Sequence, residues 1–283
     1  MKLAFTTLGC PDWTLDQMIA GAKEYGFDGI DFRGCAGEMD LWKLPEFSSG
    51  LDATASRIRD AGLEVPCMSS SGRLLRDTDD ERAESLAGLT YFVEIGAALG
   101  ARYVRVFGGY NGERPEDDAR AEAAATLDAM ARVAAPHGVS VLVETHDDWI
   151  ATDKLASVLD AAAEPNVGAI WDINHPYRHF GETPEQSWAN LGRHVKYVHV
   201  KDSSVGPDGE RVHALIGDGD VPIADCIRVI KEGGYDGWLA YEWEKKWAPQ
   251  IPEPEIAFPR YVERVRAILA SSGAGGQSSV IGN

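Results

Sequence analysis

The amino-acid sequence predicts one (β/α)8 barrel, on three observations. Short apolar runs alternate with amphipathic stretches from one end of the chain to the other, the pattern of βα units built around a parallel sheet. The runs number eight, and they are continuous rather than alternating in polarity, as strands covered on both faces are. The length, 283 residues, suits a barrel of about 250 residues with a short extension. An open doubly wound sheet is the competing layout, but no strand leads into a GxGxxG turn.

The first strand is KLAFTTLG, residues 2–9. LDQMIAGAKEYG follows as a helix, with Leu15, Met18, Ile19 and Ala22 on one face and Gly26 as its stop. GIDFRG (29–34), EVPCMSSSG (64–72) and YVRVFGG (103–109) are the next three strands. RPEDDARAEAAATLDAMARVAAPHG is predicted as the longest helix: Pro115 stands near its start, acids fill its first turn and Gly138 closes it. SVLVETH (140–146), VGAIWDI (167–173), KYVHVKD (196–202) and GWLAYEWE (237–244) complete the eight, and a last helix is expected near 255–270. Pro176 ends the sixth run just beyond Asp172 and His175. After the seventh strand comes a long excursion, 204–222, expected at the working face, where the long βα loops of barrels gather. Residues 1–270 are thus expected to form the barrel, and the Gly/Ser-rich 271–283 a mobile tail.

Composition narrows the function. A formal net charge of −18 speaks against nucleic acid or an anionic membrane as partner, since both demand a basic footprint. No run of 18 apolar residues exists to span a membrane, and MKLAFTTLGC runs straight into a strand without a signal-peptide core. The four cysteines, Cys10, Cys35, Cys67 and Cys226, show no CxxC spacing, so a reduced, cytoplasmic setting is expected. Three of them end the first three strands, where small-residue packing is the expected role.

Barrels place their chemistry at the C-terminal ends of the strands. Strand five ends with Glu144 and strand six with Asp172, strand seven carries His199, and strand eight carries Glu242. In each strand the residue two places earlier, Leu142, Ile170, Tyr197 or Ala240, shares its face. Four consecutive strands therefore each deliver one ligand-type side chain at about the same height. A carboxylate at the end of a buried strand requires a partner. Three carboxylates and one imidazole suit a single divalent cation, Mn²⁺ first, with Mg²⁺, Co²⁺ or Zn²⁺ also compatible. The competing account pairs each acid with a base at the mouth, for which Arg33, Arg105 and Lys201 are available.

The segments VLVETH, WDINHPYRHFGE, YVHVKDS and YEWEKKW resemble the motifs of the xylose-isomerase-like TIM-barrel superfamily, and the resemblance runs from the first strand to about residue 270. That superfamily holds sugar isomerases and epimerases, inosose dehydratases and type IV apurinic endonucleases. The resemblance implies that Glu144, Asp172, His199 and Glu242 are metal ligands and that His175 is a neighbouring substrate contact. In the epimerases of this family the ligating carboxylates of strands five and eight are the acid/base pair, which gives Glu144 and Glu242 the catalytic roles. The implied chemistry is enolisation: a cation binds a carbonyl and the adjacent hydroxyl and stabilises the enediolate left when the proton between them is removed. The implied substrate is a small sugar or polyol-derived ketone, and a homo-oligomer is implied as well. The chain departs from one branch. Tagatose-type epimerases keep a further Glu shortly after the strand-five ligand and an Arg shortly after the strand-seven His, where this sequence has Ile150 and Val205.

The groups that grip the substrate must therefore differ. Lys201, two residues nearer the mouth than His199, is a candidate to polarise a carbonyl or protonate a leaving hydroxyl; a salt bridge to a rim acid is the plainer role. His146 follows Glu144 by two and points the same way. Arg33 and Arg105 end strands two and four, where they could hold a carboxylate or phosphate. Trp13, Trp149, Trp243, Trp247 and Tyr177 lie near strand ends, where an aromatic face stacks on a sugar ring or simply joins the core. LIGDGDVP is expected to be a turn framing the mouth rather than a phosphate loop. Three functions compete with the isomerase or epimerase. An inosose-type dehydratase or related lyase shares the enediolate and differs in expelling a hydroxyl. A non-catalytic sugar-binding or partner subunit has no reason to retain four ligands. A zinc endonuclease requires a basic face and histidines on the early strands, and both are missing.

Overall fold

The computed structural model describes residues 1–274. The barrel strands are β1 (Lys2–Thr6), β2 (Gly29–Asp31), β3 (Cys67–Arg73), β4 (Tyr103–Phe107), β5 (Ser140–Glu144), β6 (Val167–Asp172) and β7 (Val195–Val200). A hairpin of β8 (Asp202–Val205) and β9 (Arg211–Ala214) follows, and β10 (Trp238–Tyr241) is the eighth barrel strand. The parallel sheet runs β2-β1-β10-β7-β6-β5-β4-β3. Its two ends meet through backbone bonds from Ile30 N to Glu64 O (3.0 Å) and from Ser69 N to Phe32 O (2.9 Å), which close the (β/α)8 ring.

The helices outside the ring are α1 (Leu15–Tyr25), α2 (Leu51–Asp60), α3 (Asp79–Leu99), α4 (Glu116–Ala134), α5 (Thr152–Ala161), α6 (Asn174–Phe180), α7 (Pro184–Leu191), α8 (Ile223–Glu232) and α9 (Pro254–Ala274). Three of them start on a reciprocal capping box, Thr14 with Gln17, Thr78 with Glu81 and Thr183 with Gln186, which satisfies two orphan donors at each start. α4 is not the longest helix, as its sequence suggested: its 19 residues end where Pro136 turns the chain into a 3-10 turn, while α3 and α9 have 21 each. α9 also runs past residue 270, and the rest of the expected tail, 275–283, lies outside the described residues.

Two core layers result. The larger packs the outer strand faces against the helices. The smaller is a plug inside the ring: Ala4, Cys67, Leu142, Ile170, Tyr197 and Ala240, all wholly buried. This plug is the floor of the site, because residues two places further along each strand emerge on the same inner face. Gly108, just beyond β4, shows how tightly that end is packed. A Cβ there would lie 2.1 Å from Cδ1 of the buried Trp149.

Candidate metal centre and barrel mouth

One residue from each of the first seven barrel strands and the residue just past β10 form the layer above the plug: Thr6, Asp31, Ser69, Arg105, Glu144, Asp172, His199 and Glu242. Every one is polar, and none is more than 4% exposed. The parity expected for Leu142–Glu144, Ile170–Asp172, Tyr197–His199 and Ala240–Glu242 is the one observed, since the first of each pair lies in the plug. Asp172 is paired in register with His199, as is Ala240. Glu144, Asp172, His199 and Glu242 each bring a ligand-type atom within 4.8 Å of the others.

Each acid is held by a partner that aims it. Arg105 donates from Nη1 to Glu144 Oε2 (2.7 Å) and Lys201 from Nζ to Glu242 Oε2 (2.7 Å). The other oxygens face His199 Nδ1, at 3.2 Å for Glu144 Oε1 and 3.4 Å for Glu242 Oε1. Asp172 Oδ1 accepts the backbone N–H groups of Asn174 (2.8 Å) and His175 (3.1 Å), which fixes the turn from β6 into α6. Its Oδ2 lies 2.9 Å from Lys201 Nζ but without hydrogen-bond alignment, and remains a buried acceptor with no bond of its own. The side-chain partner for Asp172 that the sequence left as the alternative to a cation is thus present, in Lys201.

Burial alone would raise the Glu144 carboxyl, and so would Glu242, yet Arg105 and His199 outweigh both and hold it at about 2. Glu242 is likewise held well below its usual range: burial opposes the charge, but Lys201 and His199 prevail. Burial disfavours the His199 cation, but Glu242, Glu144 and Asp31 raise it well above the usual imidazole value. A field that draws a proton to that ring equally draws a metal cation to its Nδ1.

The donor set fits such a cation. It offers three carboxylates and an imidazole, and an unspent buried oxygen on Asp172. Ligands on one ion at ~2.2 Å lie at most ~4.4 Å apart, so the group must contract by only a few tenths of an ångström. Behind the ring, His199 Nε2 faces Asp31 Oδ2 at 3.8 Å, and Ser69 Oγ holds Asp31 Oδ1 at 2.9 Å. A carboxylate in that place orients a ligating histidine.

The next layer opens into a cavity of about 400 Å³. Arg33, Arg105 and His146, the candidate substrate contacts, line it together with Ser71, Phe107 and Glu244, which carried no site reading. His146 Nδ1 donates to Asp147 Oδ1 (2.8 Å), and the ring packs edge-on to His175, with ring centroids 5.0 Å apart. His175 Nδ1 sits 2.8 Å from Thr145 O and, since burial lowers its pKa, is the neutral ring's donor. Lys201 is 2% exposed and is shared among Asp172, Glu242 and Glu244 (2.8 Å), so the salt bridge is the role seen here.

Of the aromatics, Trp247 is 60% exposed at the rim, whereas Trp149 and Trp243 are core. LIGDGDVP is a turn: Asp202 gathers the N–H groups of Gly217 (2.8 Å), Gly219 (3.1 Å) and Val221 (3.3 Å). The excursion before it is a hairpin, not a loose loop. Its Arg211 and His213 both reach Glu244 Oε2, at 3.0 and 3.3 Å, and so join the mouth. Cys10, Cys35, Cys67 and Cys226 are buried free thiols.

Asp31 and Glu244 are the functional candidates that sequence reasoning passed over. Each had a signal. Asp31 ends a buried strand, as Asp172 does, and Glu244 follows Glu242 by two just as Lys201 follows His199.

Comparison with known proteins places these observations. A family profile for the xylose isomerase-like TIM barrel matches residues 19–261. The chain is 23% identical over 281 residues to fructoselysine 3-epimerase of Shigella flexneri, covering 95% of this chain and 98% of that one. It is 29% identical over 142 residues to inosose dehydratase of Clostridium botulinum, a match of 45% of this chain and 43% of that one. Among solved structures, that of IolI protein with a bound zinc atom superposes with a TM-score of 0.76 at 17% identity, covering 99% of this chain and 100% of that one. No helix among the described residues is long and apolar enough to cross a membrane.

Proposed function

This chain belongs to the xylose isomerase-like TIM-barrel family, and from that premise we propose that it is a metal-dependent enzyme that isomerises or epimerises a small polyhydroxy ketone. The observation that carries the reading is the matched pair Glu144 and Glu242. Each is buried, each has Oε2 tied to a fixed cation, and each turns Oε1 toward one common centre. When bound by Glu144, Asp172, His199 and Glu242, a divalent cation, Mn²⁺ first, supplies a Lewis acid for two adjacent substrate oxygens and stabilises the charge that grows on them.

The chain's own residues move the proton. One glutamate takes it from the carbon beside the carbonyl, and the other returns one from the opposite face, which inverts that centre. Carboxylates held this far below their usual range are weak bases, so the step requires a substrate proton that is itself acidified. Arg105 and Lys201 keep both glutamates ionised and fixed in direction. Neutral His175, its Nδ1–H spent on Thr145 O, has Nε2 as an acceptor for a substrate hydroxyl.

Dehydration is the second reading, favoured by Lys201: an ammonium 2.7 Å from Glu242 is a proton source for a departing hydroxyl. Incubating the Mn²⁺-loaded protein in D₂O with a panel of ketoses, keto-cyclitols and carboxylate-bearing keto-sugars separates the two. Deuterium at the carbon beside the carbonyl, without loss of water, is the expected result. Deuterium in a product lighter by one water assigns the dehydratase. If no member of the panel exchanges, enolisation is wrong.

A further inference from the structure

Four arginines gather on the side of the mouth formed by β2, β3 and β4. Arg33 follows β2, Arg73 ends β3, Arg76 stands in the loop after it, and Arg105 lies on β4; all four line the same cavity. In a chain of net charge −18 this is a local inversion. It is also an incompletely neutralised one. Among the described residues, Arg33 and Arg76 have no carboxylate within ion-pair distance, and Arg33 bonds only to Ser71 Oγ through its side chain. Arg73 is met by Asp147 at 3.4 Å. Burial, and then the nearby Arg105, push the Arg33 guanidinium below its usual range, as expected for a cation short of counter-charge.

Arg105 is the most informative. It is 1% exposed, its Nη1 is spent on Glu144, and its guanidinium lies over the Phe107 ring, 3.8 Å from the centroid. Nε and Nη2 are both buried and both without a partner, as is Nε of Arg76. Nε and Nη2 form one straight edge of the guanidinium, two parallel donors that match the two coplanar oxygens of a carboxylate. Stacking on Phe107 and the bond to Glu144 fix the plane in advance, so little freedom remains to be lost on binding. A buried donor with no partner is costly, and here three belong to residues that line one cavity.

We propose that the substrate is an acid: a polyhydroxy ketone bearing a carboxylate, bound by the Nε–Nη2 edge of Arg105 with Arg76 and Arg33 beside it. The reacting carbonyl end then points to the Glu144–Glu242 side. This names the substrate class for the function proposed above and rests on that reading for the reaction, though not for the binding. A phosphate ester carries more charge and presents a tetrahedron of oxygens rather than one coplanar pair. The donors here are planar side chains.

The test uses three ligands built on one polyol chain: D-sorbitol, D-gluconate and D-sorbitol 6-phosphate, titrated calorimetrically into the intact protein with Mn²⁺ and again with EDTA. Gluconate is expected to bind roughly 10- to 100-fold more tightly than sorbitol and more tightly than the phosphate. Arg105→Lys keeps a charge beside Glu144 but removes the bidentate edge, and Arg76→Gln removes a donor that bonds none of the four clustered ligand-type residues. Each is expected to weaken gluconate at least about tenfold, and Arg76→Gln is expected to leave sorbitol unchanged, with folding verified by circular dichroism. Gluconate no better than sorbitol, gluconate binding indifferent to both substitutions, or the phosphate as the tightest ligand would each overturn the proposal. A protein that prefers gluconate but never exchanges the hydrogen beside a carbonyl refutes the enolisation and keeps this subsite. One that exchanges neutral ketoses and ignores gluconate refutes the subsite alone.

Discussion

Glu242→Gln is expected to fold like the parent and to lose deuterium exchange by at least about 10³-fold, on whichever ketose the parent turns over. The substitution keeps the shape of a side chain that is 4% exposed but removes three things together. It removes a ligand charge, the anion facing His199 Nδ1 at 3.4 Å, and the base on that side of the axis. General acid–base transfer alone is worth about 10²–10⁴ in rate, and the lost ligand adds to it. KM alone rising with kcat intact is the outcome that contradicts the role, because it indicates binding rather than proton transfer. Full turnover in the variant would take the acid/base role away from Glu242.

Lys201→Met is expected to be the most destabilising single change at the site, by about 3–5 kcal/mol in EDTA, the usual cost of breaking a buried ionic set by removing one partner. Lys201 is the cation that Asp172, Glu242 and Glu244 share. Burial by itself would discharge it, but those three acids hold it well above its ordinary range. Methionine fills the space and leaves the acids facing one another. Saturating Mn²⁺ is expected to recover part of the loss in the variant, since a ligand that binds only the folded state adds stability by mass action. Urea unfolding of both proteins, with EDTA and with Mn²⁺, measures this. Equal stability of parent and variant in EDTA would mean that the acids do not depend on Lys201.

The barrel and the four ligand-type side chains that meet above its plug were legible in the sequence because both follow from period. Strand polarity repeats every two residues, so once Leu142, Ile170, Tyr197 and Ala240 are read as interior, Glu144, Asp172, His199 and Glu242 must surface together above them. What was not legible depends on contacts across the ring. Lys201 was read as free for substrate or bound to a rim acid, and only the fold shows three acids meeting on it. Asp31 lies 168 places from His199 in sequence yet stands behind its ring, a pairing that no local pattern encodes. The β8–β9 hairpin hid inside a Gly-rich excursion whose apolar content is too slight to announce strands. The length ranking of α4 failed because Pro136 cut it short, although the proline was in plain view.

Whether Glu144, Asp172, His199 and Glu242 together hold one divalent cation is tested most directly by metal content. The protein is stripped with EDTA, dialysed against Mn²⁺ and Zn²⁺ together, and analysed by mass spectrometry beside Asp172→Asn and His199→Gln. One ion per chain in the parent, lost from both variants while their circular dichroism is unchanged, is the predicted result. No ion in the parent, or an ion that both variants retain, contradicts the account.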